Sequence, residues 1–242
     1  VVPISVALGL GSALLISSLR IGNELYKAIF FLPVMATLLA MAIVWEFALN
    51  PIMGVVNDIL RSGCDKRLIY GFFTGAWYGA DPLQSWYGTA CADRFPIWLG
   101  DKRYALGTIA FIGIWQGFGF NMVLYLAGLT SVPRELYQAA HMDGADSAWE
   151  RFKLVTWPML GPTHVFVITI SSIRSFQVFD TVEALTEGGP SKSTYVMVYA
   201  MFEKGVRQNL LGIGSAITIV FLAFVLVLTL IQVYFVNRRV HY

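Results

Sequence analysis

Charge is scarce in this sequence. Only 13% of its 242 residues are Asp, Glu, Lys or Arg, about half the share found in a soluble domain, which excludes most water-soluble folds. With 57% hydrophobic residues, intrinsic disorder is excluded as well. A net charge of +2 is too small to argue for a nucleic-acid partner. No Gly-Lys dipeptide occurs, so the Gly-x-x-x-x-Gly-Lys-Ser/Thr phosphate loop is missing and the chain does not bind ATP by that route. There is no His-Glu-x-x-His zinc motif, and His141, His164 and His241 are scattered, in the manner of structural or exposed residues rather than metal ligands. Internal repeats are absent too.

What charge there is collects between long apolar runs, as in a polytopic membrane protein. A bilayer core takes roughly 20 apolar residues in a helix. Val1 to Leu19, Ala105 to Leu129 and Leu211 to Val236 carry no charge at all. Ile29 to Leu49 holds Glu46, and Pro162 to Val182 holds Arg174 and Asp180. These are five candidate spans, and backbone groups in hydrocarbon must be satisfied internally, so they are expected to be helices. Val1 to Leu19 has neither a basic segment before it nor a small-residue cleavage site after it, so it reads as a span rather than a signal peptide. Val1 is not Met and already lies inside an apolar run, which suggests a segment upstream.

Orientation follows Lys and Arg near the span ends. Arg20 and Lys27 lie between the first two spans, Arg134, Arg151 and Lys153 in the third connection, and Arg238 and Arg239 at the end. Placing these inside makes the 131–160 loop and the C-terminus cytoplasmic, and leaves 50–104 and 183–210 outside. The outer 50–104 loop contains both cysteines, Cys64 and Cys91. In an oxidising compartment they are either a disulfide or two unrelated thiols. Its aromatics, among them Trp77, Trp86 and Trp98, fit packing at the membrane interface better than an external docking surface.

The most informative stretch is SVPRELYQAAHMDGADSAWERFKLVTWPMLGP, Ser131 to Pro162. Ser131 is suited to cap a helix and Pro133 to its first turn. That helix is expected to run through Glu135, Leu136, Ala139 and Ala140 towards Asp143, with Gly144 allowing a sharp exit. Ser147 and Glu150 have the spacing of a capping box for a second helix, and Pro158 marks its end.

This stretch resembles the EAA loop of ABC importer permeases, in particular the carbohydrate-uptake permeases of the maltose and glycerol-phosphate type. Gln138-Ala139-Ala140, Asp143-Gly144-Ala145, Phe152 and Trp157-Pro158 fill its elements in order. Two departures stand out: Gln138 replaces the acidic residue, and the spacing from Gly144 to Phe152 is one residue longer. Thr186-Glu187-Gly188-Gly189-Pro190 with Ser193-Thr194 resembles the outer loop of the same permeases. Phe30-Phe31-Leu32-Pro33, Asn50-Pro51 and Pro96-Ile97-Trp98-Leu99-Gly100-Asp101 resemble further landmarks. Nearly the whole chain is covered, except a stretch at about 62–94 that reads as an insertion.

The resemblance implies an all-α, polytopic membrane fold, the MetI-like core of a type I ABC importer permease. One transmembrane permease domain would occupy 1–242, with its first helix preceding this chain. It implies a second and different permease subunit, a dimer of cytoplasmic ATPase subunits holding ATP and magnesium, an extracytoplasmic solute-binding protein and the inner membrane of a bacterium or archaeon. This chain itself would be no enzyme and carry no cofactor. Glu135, Leu136, Gln138, Ala139, Ala140, Met142, Asp143 and Gly144 would form the helix that receives force from the ATPase. Gln138 offers only neutral hydrogen bonds where the family's acid accepts charge-assisted ones.

Polar residues inside spans are costly and usually face a cavity. Trp115 to Asn121 mixes aromatics, amides and glycines, and Ser171 to Val178 contains Ser172, Arg174, Ser175 and Gln177. By resemblance, Gln116, Gly117, Phe120, Ser171, Arg174, Ser175 and Val178 match sugar-contact positions, and Asn121 joins them on its chemistry. Gly119 and Gly128 read better as helix-packing positions. Arg174 has three readings: an ion pair with Glu46 or Asp180, a pathway position favouring an anionic solute, or snorkelling to the outer interface. For the chain as a whole, the other function classes are an ion-coupled carrier working alone and a membrane scaffold without a pathway. The first lacks an intramembrane ion site, and mid-span polar residues argue against the second.

Overall fold

The apolar runs become helices because nothing else satisfies a backbone in lipid. A computed structural model describes residues 1–19, 22–51, 53–57, 59 and 96–237, and every regular element among them is helical. The expectations for Cys64 and Cys91, for the 62–94 insertion, and for Arg20, Arg238 and Arg239 lie outside the described residues. Helix α1 is Val2–Ser18, α2 is Asn23–Met35, α3 is Leu38–Ala48 and α4 is Ala105–Thr130. After α4 come α5, Arg134–Met142, and α6, Ala148–Arg151. A π-turn over Phe152–Thr156 leads into α7, Trp157–Met159, and then α8, Gly161–Phe176. The remainder is α9, Asp180–Leu185, α10, Met197–Phe202, a second π-turn at Glu203–Arg207, and α11, Leu211–Asn237.

Among the described residues, three stretches are long and apolar enough to cross a membrane: Ala105–Thr130, Gly161–Leu185 and Leu211–Gln232. The 26 residues of α4 reach about 39 Å at 1.5 Å per residue, more than the roughly 30 Å hydrocarbon core. With 17 residues, α1 stands at the short end of what spans. The run Ile29 to Leu49 is not one helix. It is divided between α2 and α3, because Ala36 takes an extended backbone, φ −75° and ψ 141°, and ends α2.

The chain forms two compact units, residues 1–37, 110–179 and 196 onward, and residues 38–109 and 180–195. In the first unit α1 packs on α2 and α8, and α11 packs on α8 and α10. Its core is Ala13 and Ile16 of α1, Met122 and Tyr125 of α4, Leu160, and Val167 of α8. Lipid tails are as apolar as leucine, so helix association in a bilayer depends on close packing and hydrogen bonds. Small residues supply that closeness. A Cβ on Gly9 would stand 2.6 Å from the Asn121 Cβ, one on Gly128 2.5 Å from the Thr163 Oγ1, and one on Gly119 would collide with the Phe30 carbonyl oxygen. Gly119 and Gly128 are thus packing positions, as their sequence setting suggested.

In the second unit α3 packs against α9. Trp98 donates its Nε1–H to Asn57 Oδ1 at 2.8 Å, and Asn57 is fully buried. Thr108 Oγ1 donates to the carbonyls of Trp98 (3.3 Å) and Tyr104 (3.0 Å), fastening the Pro96-to-Asp101 landmark to the start of α4. The Gly-Gly-Pro landmark closes on itself. Buried Thr194 donates to the Gly189 carbonyl at 2.7 Å and lies 2.8 Å from Thr186 Oγ1.

Candidate functional site

The polar residues of α4 and α8 occupy two settings. Helical spacing places Gln116 with Phe120 on one face of α4, and Gly117 with Asn121 on the next. Asn121 is buried, and an amide in an apolar setting must be paired. Its Oδ1 accepts from Ser171 Oγ at 3.0 Å and its Nδ2 donates to Ser5 Oγ at 3.4 Å. One polar knot therefore joins α1, α4 and α8. Three residues beyond Ser171, Arg174 is exposed and its guanidinium carbon lies 3.9 Å from the centre of the Phe120 ring.

A guanidinium has five N–H donors. Among the described residues of its unit, no carboxylate lies within ion-pairing distance of Arg174 and no acceptor takes a side-chain hydrogen bond from it. Glu46 and Asp180 belong to the second unit. The Phe120 ring contributes about 0.5–1 kcal/mol to an exposed cation, rising to about 2 kcal/mol when desolvated. Placing an arginine at mid-span costs about 2.5–3.5 kcal/mol. The ring covers one face of the cation and leaves its edge donors open.

A cleft of about 410 Å³, lined by neither Arg174 nor Phe120, lies between α1, α8 and α11, with Val2, Ser172, Ser175, Phe176 and Gln232 among its walls. Of the predicted residues it takes in Ser175. Gln232 donates to Ser172 Oγ at 3.1 Å. Gln116 is half-buried on α4, and Val178 is half-buried in the break between α8 and α9. The structure thus gathers Phe120, Asn121, Ser171 and Arg174, with Ser175 at the cleft. Ser5 and Gln232 escaped the sequence reading. Their signal was present: each is a polar side chain within an apolar run, and such residues need partners.

The 131–160 loop is a second structured region. Ser131 does not cap α5; its hydroxyl donates back to the Gly128 carbonyl at 2.7 Å, and Pro133 stands at the N-cap position without a side-chain bond. A serine just past α4 finds the orphan carbonyls of that helix closer than the amides of the next. Glu135, Leu136, Gln138, Ala139, Met142, Asp143 and Gly144 are exposed, and Ala140 is half-buried. Leu136 and Met142, at 39% and 88% exposure, put apolar surface on a helix flanked by charge. Gly144 turns the chain with φ +89°, and Ala145 donates to the Ala140 carbonyl at 2.9 Å. His141 Nδ1 and Asp146 Oδ1, 2.8 Å apart, close the turn from the side.

The capping box is present. Trp149 N donates to Ser147 Oγ at 3.2 Å, and Ser147 N to Glu150 Oε2 at 3.1 Å. Pro158 does not end the helix it follows. The ladder widens into the π-turn at Phe152–Thr156, and Pro158 then sits in the first turn of α7, where its missing N–H leaves no bond unmade. A π-turn accommodates one extra residue in a helical path. Among the described residues, no group of three or more His, Cys, Asp or Glu is placed to hold a metal ion.

The family described as binding-protein-dependent transport system inner membrane component matches residues 5–241. The sn-glycerol-3-phosphate transport system permease protein UgpA of Brucella abortus is 30% identical over 97% of this chain and 72% of its own length. A probable ABC transporter permease protein, YurN of Bacillus subtilis, is 28% identical over 88% of this chain and 64% of its own length. In fold, the chain resembles a solved bacterial ABC transporter involved in the import of the acidic polysaccharide alginate. The TM-score is 0.74 at 22% identity, over 98% of this chain and 72% of that one. The chain therefore belongs to the binding-protein-dependent transport system inner membrane component family: it is a multi-pass ABC importer permease subunit, a transport protein rather than an enzyme, with ATP hydrolysis on a separate subunit.

Proposed function

We propose that the chain forms half of the translocation pathway for a sugar, oligosaccharide or related solute, and that the solute is anionic. A different permease chain supplies the other half. A solute-binding protein delivers from outside, as a periplasmic protein is seen to sit on the alginate importer, and a dimer of ATPase subunits drives the cycle from the cytoplasm. The C-terminus is cytoplasmic. The lone-carrier and scaffold readings fall with the family membership.

Arg174 carries the anionic reading. It is exposed, held by its face on Phe120, and has its edge donors free of protein acceptors among the described residues of its own unit. A guanidinium so placed is suited to bidentate capture of a carboxylate or phosphate. By the family resemblance, Gln116, Gly117, Ser175 and Val178 belong to the same pathway. Asn121 and Ser171 hold α4 and α8 in the spacing that presents Phe120 and Arg174. The glycerol-phosphate relative is named for an anionic solute, which supports the same class.

At the other end, the exposed helix with Glu135, Leu136, Gln138, Ala139, Ala140 and Met142, ending at Asp143 and Gly144, docks on the ATPase and transmits its closure. The test is ATP hydrolysis by the reconstituted importer with its binding protein, against neutral sugars, acidic sugars and phosphate esters. Acidic solutes are expected to stimulate, and Arg174→Ala to weaken the response about 10- to 100-fold, the value of a hydrogen bond to a charged group. Equal stimulation of both forms by neutral sugars would overturn the anionic reading.

A further inference from the structure

The histidine that sequence reasoning set aside as structural stands at a junction. His164, in the first turn of α8, has its Nδ1 2.9 Å from the Tyr125 hydroxyl of α4. Tyr125 is fully buried, and the two rings meet edge to face with centroids 5.2 Å apart. On its other side His164 meets the Trp157 ring at 4.5 Å. Trp157 meets Phe152 at 5.9 Å, and Phe152 stacks on Trp149 at 5.4 Å. Five aromatic rings thus run without a gap from exposed Trp149 in the loop to buried Tyr125 inside α4.

A second line reaches the same place from α5. Tyr137, half-buried on that helix, has its hydroxyl 3.0 Å from Thr156 Oγ1. Thr156 is buried in the π-turn and immediately precedes Trp157. The π-turn is the point in the helical path from α6 to α8 where the i→i−4 ladder is interrupted, so it is where a push on the loop would dissipate as bending. Contacts brace it from both sides: Phe152 against Trp149 and Trp157, and Thr156 against Tyr137. One turn from Tyr125 along α4, Gly128 brings the helix against Thr163, the neighbour of His164. Packed cores pass displacement on because they are not continuously deformable.

We propose that Tyr125 and His164, with Trp157 and the Tyr137–Thr156 contact, are positioning residues that clamp α4 and α8 to the 131–160 loop, so that loop displacement moves Phe120 and Arg174 as one body. This rests on the reading of that loop as the ATPase-coupling element. The clamp works on α4 from its cytoplasmic half, about five residues from Phe120, which is under two helical turns. The polar knot of Asn121 and Ser171 lies between.

The test uses the whole importer in liposomes, with Cys64 and Cys91 replaced by Ser and spin labels at two exposed positions, Met142 on α5 and Val123 on α4. In the native chain the Met142–Val123 distance distribution is expected to stay the same with and without ATP and vanadate. His164→Leu, which keeps an apolar ring-sized group but no hydrogen bond, is expected to broaden or shift it when nucleotide binds. His164→Gln, which retains a partner for the Tyr125 hydroxyl, is expected to restore it. If His164→Leu does not assemble, Tyr125→Phe is measured instead, with the same expectation. A native distance that changes with nucleotide, or a variant distance that stays native, overturns the clamp. A third label on the ATPase subunit separates the two readings. If Met142 does not keep a short, fixed distance to that subunit with and without nucleotide, the coupling reading itself fails. If that distance holds and the internal distance in His164→Leu stays native, the clamp alone fails.

Discussion

Arg174 and Gly119 show how single positions in a bilayer obey two different costs. Arg174 must offset the loss of water. A ring face does this in part, and under the proposed function the open N–H donors are the groups that would take the solute. Gly119 must let two backbones touch. Its missing Cβ lets α4 lie against the Phe30 carbonyl of α2, whereas a Cβ at Gly113, just under two turns earlier on the same helix, would meet nothing within 4 Å. Gly119→Ala is therefore expected to destabilise the assembled permease by about 1–3 kcal/mol, the usual range for overpacking. Gly113→Ala should be neutral or slightly stabilising, through better helix propensity. Thermal unfolding in detergent compares the two. Equal midpoints would mean that α2 and α4 do not pack at Phe30.

At the scale of the element, the 131–160 loop owes its form to local chemistry that can be read in order. Gly144 adopts φ +89° in open space, so Gly144→Ala tests backbone conformation alone and is expected to cost about 1–2 kcal/mol. Ser147→Ala removes the acceptor for the Trp149 amide and is expected to cost about 1 kcal/mol. Both changes loosen the start of α6, so trypsin should cut at Arg151 and Lys153 several-fold faster in either variant than in the native complex. Unchanged cleavage would show that the aromatic stack of Trp149, Phe152 and Trp157 holds this segment without its cap. Part of this element was visible beforehand. The glycine exit and the capping box are signals within four residues, and both appear in the structure. Ser131 and Pro158 are not such simple cases. A serine between two helices can serve either end, and a proline near a helix end can stop one or start another; packing makes that choice.

At the scale of the whole molecule, orientation is the largest quantity still open to direct measurement. The Lys and Arg of the 131–160 loop predict that it lies inside. A cysteine at exposed Met142, in a permease otherwise free of cysteine and stripped of its ATPase subunits, is expected to react with a membrane-impermeant maleimide only in inside-out vesicles. Reaction from the outer face would invert the topology and move the proposed ATPase contact to the wrong side.

Charge scarcity, the long apolar runs and the EAA-like and Gly-Gly-Pro landmarks were enough for the helical class, the membrane setting and the permease family. These follow from burial chemistry and from motifs whose spacing is local. Tertiary structure decided what depends on residues far apart in the chain. Among these are the knot of Ser5, Asn121 and Ser171, the seating of Arg174 on Phe120, and the junction of Tyr125 with His164. It also divided the run from Ile29 to Leu49 into two helices, though hydropathy reads through that break without a mark. The physical reason is the same in each case. Partition into lipid is a sum over residues and can be read along the sequence, whereas the partner of a buried polar group depends on which helix is brought alongside, and only the folded chain brings it there.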